Sequence, residues 1–321
     1  MRSTSPPPQT PPIDYFRLAV GDGHDLLVGQ QGRRGATPVL FLHGGPGSGC
    51  SPDHARVFDP ARAHLILPDQ RGAGGSRPPG GLRANDLEHL IGDLEAVRQR
   101  LGLARWIVYG GSWGATLALE YAKRHPQVVV ELILRAPFLA RPQDLNAFFG
   151  PEGCALAHPD AYRAFCLALG SDDGRDLIAR LVRRLNDDAD TAYRAARALD
   201  TWEATVMGLT PSNEESDPQL RARRVAGKRV YAHYCDHGFF LGPDGVLDGL
   251  AKIASIPVAI VHGLQDAVCS PAGTQLLVER GLPNAAPTWV AGAGHALTDA
   301  RLRAALRGVV DAALERNGSV A

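Results

Sequence analysis

The chain has 321 residues, enough for one large α/β domain with an insertion or for two domains, and 45% of them are hydrophobic, so a sizeable core can be buried. Lys+Arg and Asp+Glu number 34 each, and a formal net charge of zero gives no reason to expect nucleic acid or an anionic membrane as partner. Five cysteines, an odd count without paired-motif spacing, fit a reducing compartment better than a disulfide framework.

The start, "MRSTSPPPQTPP", has no apolar leader and reads as a disordered or extended lead-in. No apolar run is long enough to cross a bilayer, and a soluble, cytoplasmic protein is expected. "YFRLAVGDGHDLLVGQQG" reads as an antiparallel hairpin turning at "GDG". "PVLFLHGG" and "AHLILPDQRG" read as buried strands running into loops. "ANDLEHLIGDLEAVRQRLGL" is helical, with Leu87, Leu90, Ile91, Leu94, Val97 and Leu101 on one face, Asn85 or Asp86 as cap and Gly102 at the end. The strand "RWIVYGG", a helix from Ser112 toward His125 and the strand "VVELILRAPF" follow. This alternation means βαβ units and a mostly parallel sheet flanked by helices. From about Arg141 to about Phe240 the pattern changes to amphipathic helices, and strand-like runs return at "IPVAIVHG" and "PTWVAGAGH". The expected organisation is a sheet domain over residues 1–137 and 246–321, with a helical cap inserted over 138–245. Such a cap would wall off a pocket above the carboxyl ends of the strands.

"GGSWG", Gly110 to Gly114, matches the G-x-S-x-G nucleophile elbow of the α/β-hydrolase fold, with a strand before it and a helix after. A serine hydroxyl needs a base, and in this fold the partners follow in the order serine, acid, histidine. Asp266 follows the strand "VAIVHG", and His295 lies in a Gly-rich loop after the next strand. His295 would take the Ser112 proton and return it to the leaving group, while Asp266 would fix the imidazole tautomer. Nearby His262 is expected to be structural, and Asp299 follows His295 too closely to serve as the acid. For the oxyanion, the Trp113 N–H and one from "HGGPG", at Gly44 or Gly45, are the expected donors. Asp69 and Arg71 of "DQRG" are expected to brace that loop.

"HGGPG", "DQRG" and "GGSWG", in that order, resemble the prolyl aminopeptidase (proline iminopeptidase) family of α/β-hydrolase serine peptidases, and the likeness covers most of the sheet domain. The resemblance implies removal of an N-terminal proline from peptides, without metal or cofactor. A buried substrate ammonium needs a carboxylate partner, and the family's cap glutamate maps to Glu203 in "TWEATVMGL". The same likeness assigns Arg135 and Phe138 of "LRAPF" to the pocket, and Val268 and Cys269 to an apolar slot for the proline ring. Where the family usually has a second cap glutamate, before a His-Tyr pair, this chain has Tyr231. A tyrosine brings no negative charge, so the amine would be held less strongly unless Asp236 or another carboxylate substitutes.

Three readings follow. The first is a serine aminopeptidase acting on N-terminal proline or another small apolar residue. The second is an esterase or amino-acid amidase with an altered cap pocket, and the third a catalytically inactive binding protein. Ser112 at the elbow excludes the usual mechanism of relatives that need aspartate there.

Overall fold

The computed structural model describes residues 12–318, so the Pro-rich lead-in through residue 11 lies outside the described residues. Eight strands form one sheet: β1 (Asp14–Gly21), β2 (His24–Gly32), β3 (Thr37–Leu42), β4 (Ala63–Pro68), β5 (Trp106–Gly111), β6 (Val129–Arg135), β7 (Val258–Gly263) and β8 (Ala286–Val290). Their order is β1-β2-β4-β3-β5-β6-β7-β8. The hairpin of β1 and β2 is antiparallel, as its "GDG" turn predicts, and β2 is antiparallel to β4; every other pairing is parallel. The chain has the α/β-hydrolase architecture.

The central strands are mostly apolar and buried because both faces of the sheet are covered, with Glu131 of β6 and His64 of β4 as buried polar exceptions. Side chains alternate across the sheet. In β5, Trp106 and Val108 join the core under α1 (Leu87–Arg100) and α2 (Trp113–Arg124), while Ile107 and Tyr109 join the core under the C-terminal helix. The stripe predicted for α1 is buried from Leu87 to Val97, and Asp86 caps it by accepting from the His89 N–H.

Between β6 and β7 the chain leaves the sheet through six helices, α3 (Pro142–Phe149), α4 (Cys154–Ala157), α5 (Pro159–Leu169), α6 (Leu177–Leu185), α7 (Ala189–Val206) and α8 (Pro218–Asp236). They have an aromatic centre of their own, in which Trp202 stacks on Phe165 with ring centroids 6.0 Å apart. α9 (Pro271–Gly281) and α10 (Ala300–Asn317) complete the fold, with Asp299 capping α10. α8 meets the loop after β3 by main-chain contact: a Cβ at Gly47 would lie 2.2 Å from the Gly227 carbonyl oxygen. No described helix is long and apolar enough to cross a membrane. All five cysteines are free thiols.

Asp69 and Arg71 do not pair with each other. Asp69 accepts from the Cys50 N–H at 2.6 Å and the Gly75 N–H at 2.7 Å, tying the loop after β3 to the loop after β4. Arg71 forks onto Asp93 of α1 at 2.7 and 2.8 Å and also donates to the carbonyls of Ala84 and Val20. Both partners of that ion pair are buried. Removing one partner of a buried pair strands the other charge in a low-dielectric interior. Arg71→Met is expected to lower the unfolding free energy by about 3–5 kcal/mol, read as a lower urea midpoint. A midpoint within error of the parent would show that Asp93 relaxes to solvent.

Candidate functional site

The elbow is made by contact between main chains. A Cβ at Gly110 would lie 2.1 Å from the Gly114 carbonyl oxygen, and one at Gly114 would lie 2.1 Å from the Leu42 carbonyl oxygen. α2 can start this close to β3 and β5 only because both positions lack side chains. The turn between them holds Ser112 at φ 56°, ψ −124°, a strained backbone for a residue with a Cβ. Ser112 is half-buried and projects into a cavity of about 280 Å³.

Asp266 and His295 come from the loops after β7 and β8. His295 Nδ1 and Asp266 Oδ2 are 2.7 Å apart. Burial raises the Asp266 carboxyl pKa, but the charge of His295, hydrogen bonds from both His262 and His295, and the Cys269 N–H outweigh it and hold the pKa well below the carboxylate range. Ionised Asp266 can only accept, so His295 Nδ1 carries the hydrogen and Nε2 keeps its lone pair. Burial pushes the His295 pKa below the ordinary imidazole value, more than the Asp266 charge restores. His295 and Ser112 line the same cavity, and among the described residues the partner of Ser112 Oγ is Cys269 Sγ at 3.9 Å. His262 lines no part of that cavity; buried, it bonds Thr274 Oγ1 at 2.7 Å and the Cys269 carbonyl at 2.8 Å, and its Nε2 lies 3.4 Å from Asp266.

Gly44 abuts the elbow: a Cβ there would lie 3.6 Å from Ser112 Cβ. Gly44 and Gly45 line the cavity, and the Trp113 N–H is at the first turn of α2, where a helix offers no acceptor. A chain of hydrogen bonds holds these pieces together. His43 Nδ1 bonds the Gly44 carbonyl at 2.9 Å, and His43 Nε2 accepts from the Gln70 N–H at 3.1 Å. The Gln70 side chain then donates to the His43 carbonyl at 3.0 Å and accepts from Trp113 Nε1 at 2.9 Å. Neither His43 nor Gln70 stood out in the sequence as more than motif letters.

Arg135, Phe138, Glu203, Tyr231, Val268 and Cys269 all line the same cavity as Ser112. Asp236 does not; it ends α8 exposed, so it cannot stand in for the missing second glutamate. The second cap carboxylate that does reach the cavity is Asp144 of α3, which Arg141 holds in a fork at 2.7 and 3.0 Å. Glu203 is not bare either: Lys228 of α8 donates to its Oε2 at 2.5 Å and bonds Asp200 at 2.8 Å. Burial lowers the Lys228 pKa, and the two carboxylates more than reverse that, so Lys228 stays charged. Phe148, Phe149, Met207 and Phe239 close the apolar part of the cavity. Sequence periodicity marks these residues as apolar but cannot tell a cap's core from its cavity-facing side.

An elbow serine after β5, an acid after β7 and a histidine after β8, in one mostly parallel sheet, define an α/β hydrolase. The alpha/beta hydrolase fold family profile matches residues 37–299. The chain is 38% identical over 294 residues to a proline iminopeptidase of Xylella fastidiosa (strain Temecula1 / ATCC 700964), covering 90% of this chain and 92% of that one. It is 38% identical over 299 residues to a proline iminopeptidase of Arabidopsis thaliana, covering 92% and 78%. Among solved structures, a proline iminopeptidase of Mycobacterium smegmatis superposes with a TM-score of 0.64 at 23% identity, covering 96% of this chain and 99% of that one. The chain belongs to the proline iminopeptidase family and is a hydrolase.

The packing at the elbow is testable apart from chemistry. Gly114→Ala is expected to cost about 3 kcal/mol or to abolish soluble expression, because the added methyl meets backbone that cannot swing away. A melting temperature equal to the parent's would show that α2 can shift along the sheet.

Proposed function

We propose that this protein is a serine aminopeptidase that releases an N-terminal proline, or another small apolar residue, from peptides. The observation that carries the reading is one cavity lined by Ser112 and His295 on its sheet side and by Glu203 among aromatic rings on its cap side. The names of the relatives support it. Residues 1–137 and 246–321 act as the catalytic domain, and 138–245 as the cap that closes the far end of the cavity.

In the proposed reaction, the Ser112 hydroxyl turns from Cys269 toward His295 and attacks the carbonyl carbon of the first residue. His295 Nε2 takes the hydroxyl proton, and Asp266 stabilises the imidazolium. The N–H groups of Trp113 and of Gly44 or Gly45 receive the oxyanion. Collapse breaks the C–N bond; the leaving amine takes the proton from His295 and departs, leaving the acyl group on Ser112. Water, deprotonated by the same imidazole, then releases the free amino acid. Glu203 offers Oε1 to the substrate ammonium while Lys228 holds Oε2. Phe138, Tyr231, Val268 and Cys269 enclose the ring. Cys269 serves as an inert wall, because burial and the nearby Asp266 charge push its thiol well above the ordinary range.

One observation favours a second reading. The Lys228 ion pair spends part of the Glu203 charge, and Tyr231 adds none, which suits an esterase or amino-acid amidase. A substrate panel separates the two: Pro-, Ala- and Leu-anilides, N-blocked Pro-anilide and simple aryl esters. Free Pro-anilide is expected to be the best amide and the N-blocked form inert; preference for blocked substrates or aryl esters would establish the esterase. Glu203→Gln is expected to cut kcat/KM for Pro-anilide roughly tenfold to a hundredfold, the range of a lost charge-assisted hydrogen bond, and to spare aryl esters. Equal losses on both would reduce Glu203 to a packing residue.

The lowered His295 pKa fixes the sign of the pH dependence. A base works only when neutral, so activity persists until the pH falls through the depressed value. The acid limb of kcat/KM is expected below about pH 6.5, the ordinary imidazole value. A limb well above that would mean that another group titrates.

A further inference from the structure

Three side chains bearing full charges line the cavity: Glu203, Asp144 and Arg135. Glu203 has Lys228 as counter-ion, and Asp144 has Arg141. Arg135 has no carboxylate within ion-pairing distance among the described residues. One of its amino groups donates to the His295 carbonyl at 2.7 Å, and its Nε is buried without a partner. The guanidinium lies against the main chain just before the nucleophile, since a Cβ at Gly111 would be 2.8 Å from Nη2. Two other side chains of the cavity wall can donate. Ser51 N–H donates to His54 Nδ1, which puts the His54 hydrogen on Nε2, and burial together with the neighbouring His43 and Arg135 keeps that ring neutral, its pKa near 4. Ser48 adds a hydroxyl. A cation this poorly compensated, among donors and beside a reacting serine, is a site for an anion.

We infer that Arg135 binds the free carboxylate of the residue that leaves, so that the preferred substrates are zwitterionic dipeptides. This rests on the aminopeptidase reading and deepens it. Glu203 would hold the ammonium of the first residue and Arg135 the carboxylate of the second, with the scissile bond over Ser112 between them. A dipeptide presents both charges within about 7 Å, the most that two extended residues span. In a longer peptide the same position carries a neutral amide, which gives the guanidinium no charge to meet.

The test compares kcat/KM for Pro-Gly and Pro-Gly-amide in the parent enzyme, in Arg135→Met and in Arg135→Lys. The parent is expected to favour the free acid by on the order of tenfold to a hundredfold. Arg135→Met should bring the ratio near one, and Arg135→Lys, which keeps the charge without the fork, should keep part of it. A loss common to both substrates reports the bond to the His295 carbonyl and cancels in the ratio. Equal turnover of acid and amide by the parent overturns the inference, as does an unchanged ratio in Arg135→Met. If Pro-anilide and Pro-Gly-amide are cleaved without preference for the acid, this inference falls alone. If no free-amine substrate is cleaved while aryl esters are, the aminopeptidase reading falls with it.

Discussion

The site depends on one close approach, that of α2 against the ends of β3 and β5. Gly110, Gly114 and the Leu42 carbonyl touch there, backbone on backbone, and the chain between them has no relaxed path. Ser112 therefore takes a positive φ. Such strain persists only where surrounding structure over-determines it. Here the surroundings are deeply buried: Trp113, Ala115, Leu117, Ala118 and Leu119 are all enclosed. The hydrophobic core thus sets the direction of a hydroxyl.

Around that fixed point the polar network decides which loops can come near. His43, Gln70 and Trp113 link the loops after β3 and β4 to the first turn of α2. Asp69 adds the main chain at Cys50 and Gly75. The Gln70 bonds to His43 and Trp113 are buried and the others partly so, and a buried one left unmade would cost its desolvation. Arg71 anchors this frame to α1 through Asp93. Motif letters that read as two separate loops, "HGGPG" and "DQRG", are in space one assembly.

What was legible in the sequence follows from range. The elbow shows because glycines and serine lie within five consecutive residues and are flanked by a strand and a helix. The α1 stripe shows because helical period and burial coincide. Asp266 and His295 are found by chain order, and the 2.7 Å contact between them is the tertiary fact that order implies. The Arg71–Asp93 pair has no motif of its own, although Asp93 interrupts the apolar face of α1 between Leu90 and Leu94, a signal that a buried partner is required. The Asp200–Lys228–Glu203 chain lies across the packing of α7 on α8, and no pattern internal to either helix announces it. His262, expected to be structural, approaches Asp266 to 3.4 Å and is part of what keeps that carboxylate ionised.

The charges in the cavity are unevenly compensated. On the cap side each carboxylate arrives with its own cation, so it has less charge to offer an incoming cation than a bare carboxylate would. On the sheet side the Arg135 guanidinium arrives alone. A carboxylate already paired attracts an ammonium less than a free one would, and a guanidinium without a counter-ion attracts an anion more. A cation cannot be neutralised by losing its proton when it is a guanidinium, so the imbalance persists at every physiological pH. It also acts on the histidines: the same positive charge disfavours protonation of His295 and His54. The residue that leaves the pocket short of negative charge thus also helps to keep the His295 imidazole neutral.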